Sequence, residues 1–333
     1  MVTMSEIAEK AGVSRYTASK VLNGDKSVKA ALRERVLAAC RDCGYIPDSR
    51  AISLVKGHSD IIGVIVPYLT DDFYSEFVET LDQVVLAKGY RPVYRSSYNS
   101  AELESDILRM FLSIKVCGLV VAPVVSGIDR ETHALAARNV PVVYFDRCFD
   151  ENTWHVVNDN HAGTFAATTL MLEKGRTPAY LGSFYRETNS TAKQREQGYA
   201  DAMKAAGKHP LLLDVSGSAE QQDNEKFGCE VVRKHLEHAS APDALLCVTD
   251  SVAFGAMRAL FEVGLLPGKD ILVCGHDNLR FSAYTTPALT TVRQRQDLFA
   301  STCMEILEQA FAGNPPARKE YRFEPELILR ETT

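Results

Sequence analysis

Three short apolar runs of this chain end in groups that could hold a small polar molecule: Asp146 after VPVVYF, Thr249-Asp250 after ALLCV, and Asp277-Asn278 after ILVCG. Arg195, in TAKQREQGY, adds a guanidinium early in a helically patterned stretch. Carboxylates accept and a guanidinium donates in fixed planes, so an Asp–Arg pair closing over vicinal hydroxyls is an arrangement suited to a sugar. For Asp146 and Asp250, helix capping at a strand-to-helix turn competes with that role, because a cap needs only an acceptor at that spot. Residues 15–22, RYTASKVL, offer a different chemistry. With Ala18, Val21 and Leu22 turned inward on a helix, Arg15, Tyr16, Ser19 and Lys20 face out. Two cations, an aromatic hydroxyl and a small hydrogen-bonding group equip a helix to read base edges in a major groove. An ordinary amphipathic helix also carries a charged outer face, so the surroundings of this one decide between the two.

Those surroundings are helical. Thr3-Met4-Ser5-Glu6 is an S/T-x-x-E capping box, and Ile7, Ala8 and Ala11 follow on one face. Gly12 stops that helix, Val13 fills the gap, Ser14 is placed to cap the next helix, and Asn23-Gly24 ends it. A third helix, about 31–43, carries Leu32, Val36, Leu37 and Cys40 at three- and four-residue intervals and ends at Gly44. Over residues 1–57 ten basic residues face six acidic ones, a surplus of four; a net charge of -6 for the whole chain leaves -10 for the rest. A basic head on an acidic body is expected when one small domain, here 1–46, faces a polyanion. In the linker, 47–59, Asp48-Ser49 can cap a short helix over about 50–56, with Ala51, Leu54 and Val55 at helical spacing and Gly57 as its stop. Such a helix is too short to stand alone in water and should form only when something covers Ala51 and Leu54.

The stretch IAEKAGVSRYTASKVLNG, followed by VKAALRERVLAACRDCGYIPDSRAISL, resembles the head of the lactose/galactose repressor family of bacterial transcription regulators, and the match continues through the chain. A-G-V-S, V-L-N and G-Y-x-P at these intervals carry it. The resemblance implies that Arg15, Tyr16 and Lys20 read bases. It puts Thr3, Ser5, Thr17, Ser19 and Asn23 on phosphates, with Ser14 and Arg50 in the same DNA-facing set. It makes the linker a hinge helix that pairs with its dimer mate in the minor groove, Leu54 wedged between base pairs and Ala51 allowing close helix contact. Lys20 stands where many members have arginine and Ala18 where they have valine. Without the guanidinium a bidentate fork for guanine is lost, so the operator half-site is expected to differ.

From Ile61 the chain alternates short β-branched runs (IIGVIV, RPVYRS, CGLVVAP, VPVVYF, PAYLGS, PLLLDV, DALLCV, DILVCG) with helical stretches near 72–88, 101–115, 160–174, 192–206 and 250–263. This is the pattern of an α/β fold with doubly wound parallel sheets covered on both faces. Two strand sets part around Trp154 to Asp159, giving two lobes with ligand chemistry at their strand ends. The resemblance likens the body, 60–333, to the type I periplasmic binding proteins. It implies three crossings between lobes, so that lobe 1 takes about 60–158 and 293–318 and lobe 2 about 159–292 and 319–333. It also places the effector on Asp146, Arg195, Thr249 and Asp277, with Tyr68 and Phe73 packing against it and Asn189 and Thr191 beside Arg195. Thr249 and His276 depart from the asparagine and the aromatic common in the family, which bears on ligand choice.

At 333 residues, 46% apolar and 24% charged, the chain is an ordinary globular one, with no basic-then-apolar leader and no spanning run of roughly 18 apolar residues. A cytoplasmic location follows as an expectation. The eight scattered cysteines read as buried thiols, and Cys40-x-x-Cys43 lacks the second pair a zinc site needs. His235 and His238 lack a third ligand. No phosphate loop, dinucleotide fingerprint or nucleophile elbow is present, so neither catalytic residues, nor metal, nor cofactor are expected. The expected protein is a homodimeric repressor of a pseudo-palindromic double-stranded operator, controlled by a small effector, a sugar or sugar derivative, and without membrane contact. With no heptad tail after LILRETT, a dimer rather than a tetramer is expected. A solute-binding protein for sugar transport is the alternative, and an α/β enzyme a third reading that would leave residues 1–57 unexplained.

Overall fold

A computed structural model describes residues 2–22, 25, 27–45, 59–148, 150–183, 189–213, 215 and 223–333. The chain divides into two units, Met1–Asp60 and Ile61–Thr333. In the first, helices α1 (Met4–Lys10), α2 (Arg15–Leu22) and α3 (Ala30–Cys43) enclose Ile7, Ala8, Ala11, Ala18, Val21, Val36, Ala39 and Cys40. The capping box forms: Glu6 N donates to Thr3 Oγ1 at 3.3 Å and Thr3 N to Glu6 Oε2 at 2.7 Å. Gly12 turns the chain at φ 62°, and Arg35 from α3 clamps that turn by donating to Ala11 O at 2.5 Å and Gly12 O at 3.2 Å. Leu37, expected on the inner stripe of α3, is exposed, and Ala39 packs inward instead.

The second unit holds two sheets. The first has the order β10-β5-β4-β3-β1-β2, with β1 Ile61–Val66, β2 Arg91–Ser96, β3 Gly118–Val121, β4 Val142–Phe145, β5 Trp154–Asn158 and β10 Glu320–Phe323, all parallel. The second has the order β11-β9-β8-β7-β6, with β6 Pro178–Leu181, β7 Ala244–Cys247, β8 Leu272–Asp277, β9 Thr290–Arg293 and β11 Glu326–Ile328. Here β11 is an antiparallel edge on an otherwise parallel sheet. Side chains alternate across the first sheet: Ile62, Val64 and Val66 pack on α4 (Asp72–Ala87) and α11 (Gln296–Phe311). On the opposite face Ile65, Leu119 and Val121 meet α5 (Ala101–Ser113) and α6 (Arg130–Asn139). Each such aliphatic or aromatic side chain contributes roughly 1.5–3 kcal/mol by leaving water.

The second sheet is covered by α7 (Asn160–Glu173), α8 (Ser190–Ala205), α9 (Asn224–His238) and α10 (Asp250–Glu262) around one apolar core. Helices α9 and α10 touch backbone to backbone: a Cβ at Gly228 would collide with Val252 O, and one at Gly255 with Glu225 O.

Three readings need correction. Trp154–Asn158 is itself a strand of the first sheet rather than a bare boundary. In PLLLDV, Leu212 forms only an isolated bridge to Tyr180. Residues 320–323 were expected in lobe 2 (319–333), yet β10 pairs with β5 in the first sheet, so the last crossing lies between Phe323 and Glu326. EYRF alternates charged and aromatic residues and sits half-exposed at a sheet edge, so it presents no apolar run to be recognised.

Candidate functional site

At the carboxyl ends of β1, β4, β7 and β8 lies a cleft of about 220 Å³ lined from both lobes. Its lobe 2 wall is built around Arg195, on the second turn of α8. The guanidinium donates Nε to Asn160 Oδ1 at 2.9 Å, one terminal nitrogen to Val248 O at 2.6 Å, and the other to Asp277 Oδ1 at 3.2 Å. Gln294 also donates to Asp277 Oδ1, and its own amide oxygen accepts from Asn158, so the polar chain links two points where the polypeptide crosses between lobes. Burial drives the Asp277 carboxyl up to about 6 against the pull of Arg195. Burial, with Arg195 second, holds the His276 imidazole well below its usual range, so it is neutral. Its Nδ1 lies 3.3 Å from Asp277 Oδ1, while Nε2 is buried without a partner.

The lobe 1 wall centres on Asp146 and Arg147. Tyr74, kept protonated by burial, donates its hydroxyl to Asp146 Oδ2 at 2.8 Å and accepts from Arg147 at 2.9 Å. Arg147 also donates to Pro123 O at 2.7 Å. Thr191, from lobe 2, reaches Asp146 O at 3.4 Å. Both aspartates sit on unusual backbone, Asp146 at φ 65° and Asp277 at φ 118°, conformations that persist only where surrounding structure enforces them and that gather at binding sites.

All eight residues singled out for the effector (Tyr68, Phe73, Asp146, Asn189, Thr191, Arg195, Thr249 and Asp277) line this cleft. Two of them also cap helices: Asn189 accepts from Thr191 N and Ala192 N in α8, and Thr249 from Val252 N in α10. Asp250 takes another part. It is fully buried and accepts from Leu279 N at 2.8 Å, Ser282 Oγ at 2.5 Å and Thr291 Oγ1 at 2.5 Å, and burial pushes it up to about 7. Asp146 caps no helix. The residues chosen from the sequence did not include Asp71, Tyr74, Arg147, Asn160 and Gln294; of these Arg147 had a signal, two residues past β4 as Thr249 is past β7, and Asp71 lies between Tyr68 and Phe73, which were chosen.

In the head, Arg15 and Tyr16 are exposed on α2, Tyr16 at 71%. Lys20 Nζ lies 5.3 Å from the Tyr16 ring centroid and 3.2 Å from Asp25, which holds the ammonium above its usual range. Ser5 is exposed and Ser19 half-exposed. Thr3 and Ser14 already serve as caps, Ser14 accepting from Thr17 N at 3.1 Å. Asn23, Arg50, Ala51 and Leu54 lie outside the described residues. Among the described residues no group of three or more His, Cys, Asp or Glu could hold a metal, and no helix is long and apolar enough to cross a membrane.

Two family models match: bacterial regulatory proteins of the lacI family over residues 3–48, and a periplasmic binding protein-like domain over 168–333. The HTH-type transcriptional repressor PurR of Photobacterium profundum is 28% identical across 100% of this chain and 98% of its own. The chain joins a lacI-family head to a periplasmic binding protein-like domain. The ribose operon repressor of Escherichia coli K12 is 28% identical over 99% of each chain. Among solved structures, the lac repressor dimer bound to operator and the anti-inducer ONPF is 27% identical, with a TM-score of 0.86 over 100% of this chain and 99% of that one. With that head and these relatives, this chain is a DNA-binding transcriptional repressor and not an enzyme, and the relatives give no support to a transport protein.

Proposed function

We propose that this repressor binds a pseudo-palindromic double-stranded operator as a homodimer, in the cytoplasm, and that a sugar or sugar derivative held in the cleft sets its operator affinity. The observation that carries the effector reading is the convergence of two Asp–Arg pairs, Asp146 with Arg147 and Asp277 with Arg195, on opposite walls of one cleft. Planar donors and acceptors facing each other across a cleft suit vicinal hydroxyls, which need both. Tyr68 and Phe73 would pack on the apolar face of the ring, and Asn189, Thr191 and Thr249 would supply further polar contacts. Asp277, Gln294 and Asn158 form one polar chain through the crossings, so a ligand that engages Asp277 would bias the angle between lobes.

On the DNA side, Arg15, Tyr16 and Lys20 would read bases, while Thr3, Ser5, Ser14, Thr17, Ser19, Asn23 and Arg50 would position the head on the backbone. Ala51 and Leu54 in the linker would form the minor-groove wedge, folding on DNA. An operator selected from a random library serves as the probe. Leu54→Gly should cost at least about tenfold in affinity for that operator, while weak salt-dependent binding to other DNA persists. Unchanged operator affinity would remove the wedge from the mechanism.

A further inference from the structure

The cleft contains a carboxylate that neither Asp–Arg pair accounts for. Asp71 caps α4 by accepting from Phe73 N at 3.0 Å, and it lines the same cleft as Asp146 and Asp277. Among the described lining residues the acids are Asp71, Asp72, Asp146, Glu225 and Asp277, and the only cations are Arg147 and Arg195. Those cations are already committed. Arg195 spends all three nitrogens on Asn160, Val248 O and Asp277. Arg147 uses both terminal nitrogens on Pro123 O and Tyr74, and only its buried Nε, 3.4 Å from Asp146 Oδ2, lacks a hydrogen bond.

A phosphate or carboxylate brought into this space would meet five carboxyl groups against two guanidiniums, each of them already paired with one of those carboxylates. An ammonium would satisfy Asp71 but could accept nothing from Arg147. A hydroxyl does both, donating one hydrogen bond and accepting others. Resting on the effector reading of the cleft, we infer that the ligand is an uncharged polyol and that Asp71 is the residue that selects it, rejecting the phosphorylated and acidic forms of the same sugar.

The ionisation of Asp71 agrees. Burial, then Asp277, then Asp146 push its carboxyl up to about 7, although the backbone N–H groups of Phe73 and Tyr74 pull the other way. The charged groups around it are Asp277 across the cleft, Asp146 and Arg147 on its own wall, and Asp72 and Glu76 on its own helix. A hydroxyl donated to Asp71 favours the ionised form, so affinity for a sugar rises as pH climbs through about 7 and levels off above it. An anionic ligand would show the opposite slope.

The test is calorimetric titration of the full chain with D-ribose, D-glucose and D-galactose, their phosphates, and the corresponding sugar acids. It is repeated with Asp71→Asn, which keeps the helix cap, and with Asp277→Ala. The expected result is an uncharged sugar bound about a hundredfold more tightly than its charged counterparts. Asp71→Asn should weaken that sugar about tenfold and narrow the gap. A charged member binding as tightly as its parent, and lost in Asp277→Ala, overturns the charge selection while leaving the site in place. So does a gap that Asp71→Asn leaves unchanged. Absence of binding by every member overturns the effector reading and this inference together.

Discussion

The two walls of the cleft carry the same pair of side chains, assembled differently. In lobe 1, Asp146 and Arg147 are chain neighbours at the end of β4; Nε lies 3.4 Å from the carboxylate without hydrogen-bond alignment, and Tyr74 bridges the two. In lobe 2, Arg195 comes from α8 and Asp277 from the end of β8, and every guanidinium nitrogen is matched to a fixed acceptor. Adjacent residues cannot easily face each other in a linear bond, so the local pair stays loose and leaves a donor for a ligand. The long-range pair is as well ordered as the core that carries it. One wall is thus pre-organised and the other adaptable, which suits the proposed change of angle between the lobes.

The largest effect should come from breaking the ordered wall. Arg195→Met would leave Asp277, Asn160 and Val248 O facing one another without their shared donor, and should cost about 3–5 kcal/mol in urea unfolding as well as all response to effector. Arg147→Met should lose the response equally but cost only about 1–3 kcal/mol, since Tyr74 still donates to Asp146. Equal destabilisation by the two variants would contradict the contrast between the walls. Thr191→Val removes a single long contact to Asp146 O and should change stability by less than about 0.5 kcal/mol in the same assay.

Much of this was legible in the sequence, for local reasons. The capping box, the turn at Gly12 and the inward stripe of α2 depend on residues three or four apart, and all three form. The ends of the apolar runs pointed to Asp146, Thr249 and Asp277 because strands of open α/β sheets direct their carboxyl ends at a ligand crevice. Asp250 shows where that reasoning gives out. It stands at a strand end like the others, yet Gly275 leaves it room to turn inward and Leu279, Ser282 and Thr291 supply its donors, none of them near it in sequence. The edge strand Glu320–Phe323 was missed for a related reason: its place is fixed by pairing with β5, and one four-residue alternation of charged and aromatic side chains is too short to mark a strand by itself.

The sequence by itself determined the helical head with its basic outer face, the repeated strand-helix pattern of the body, and the strand-end groups Asp146, Thr249 and Asp277 that border the cleft. Each is encoded by spacing within a single element, where geometry depends only on helix or strand period. Tertiary structure alone decided which partners those residues have: that Arg195 meets Asp277, that Gln294 and Asn158 join the crossings, that Asp250 is spent on the core, and that Asp71 is left as the surplus charge. Pairing of this kind is set by how two sheets and their helices pack, since an ion pair or buried hydrogen bond forms only where long-range folding brings donor and acceptor together and excludes water.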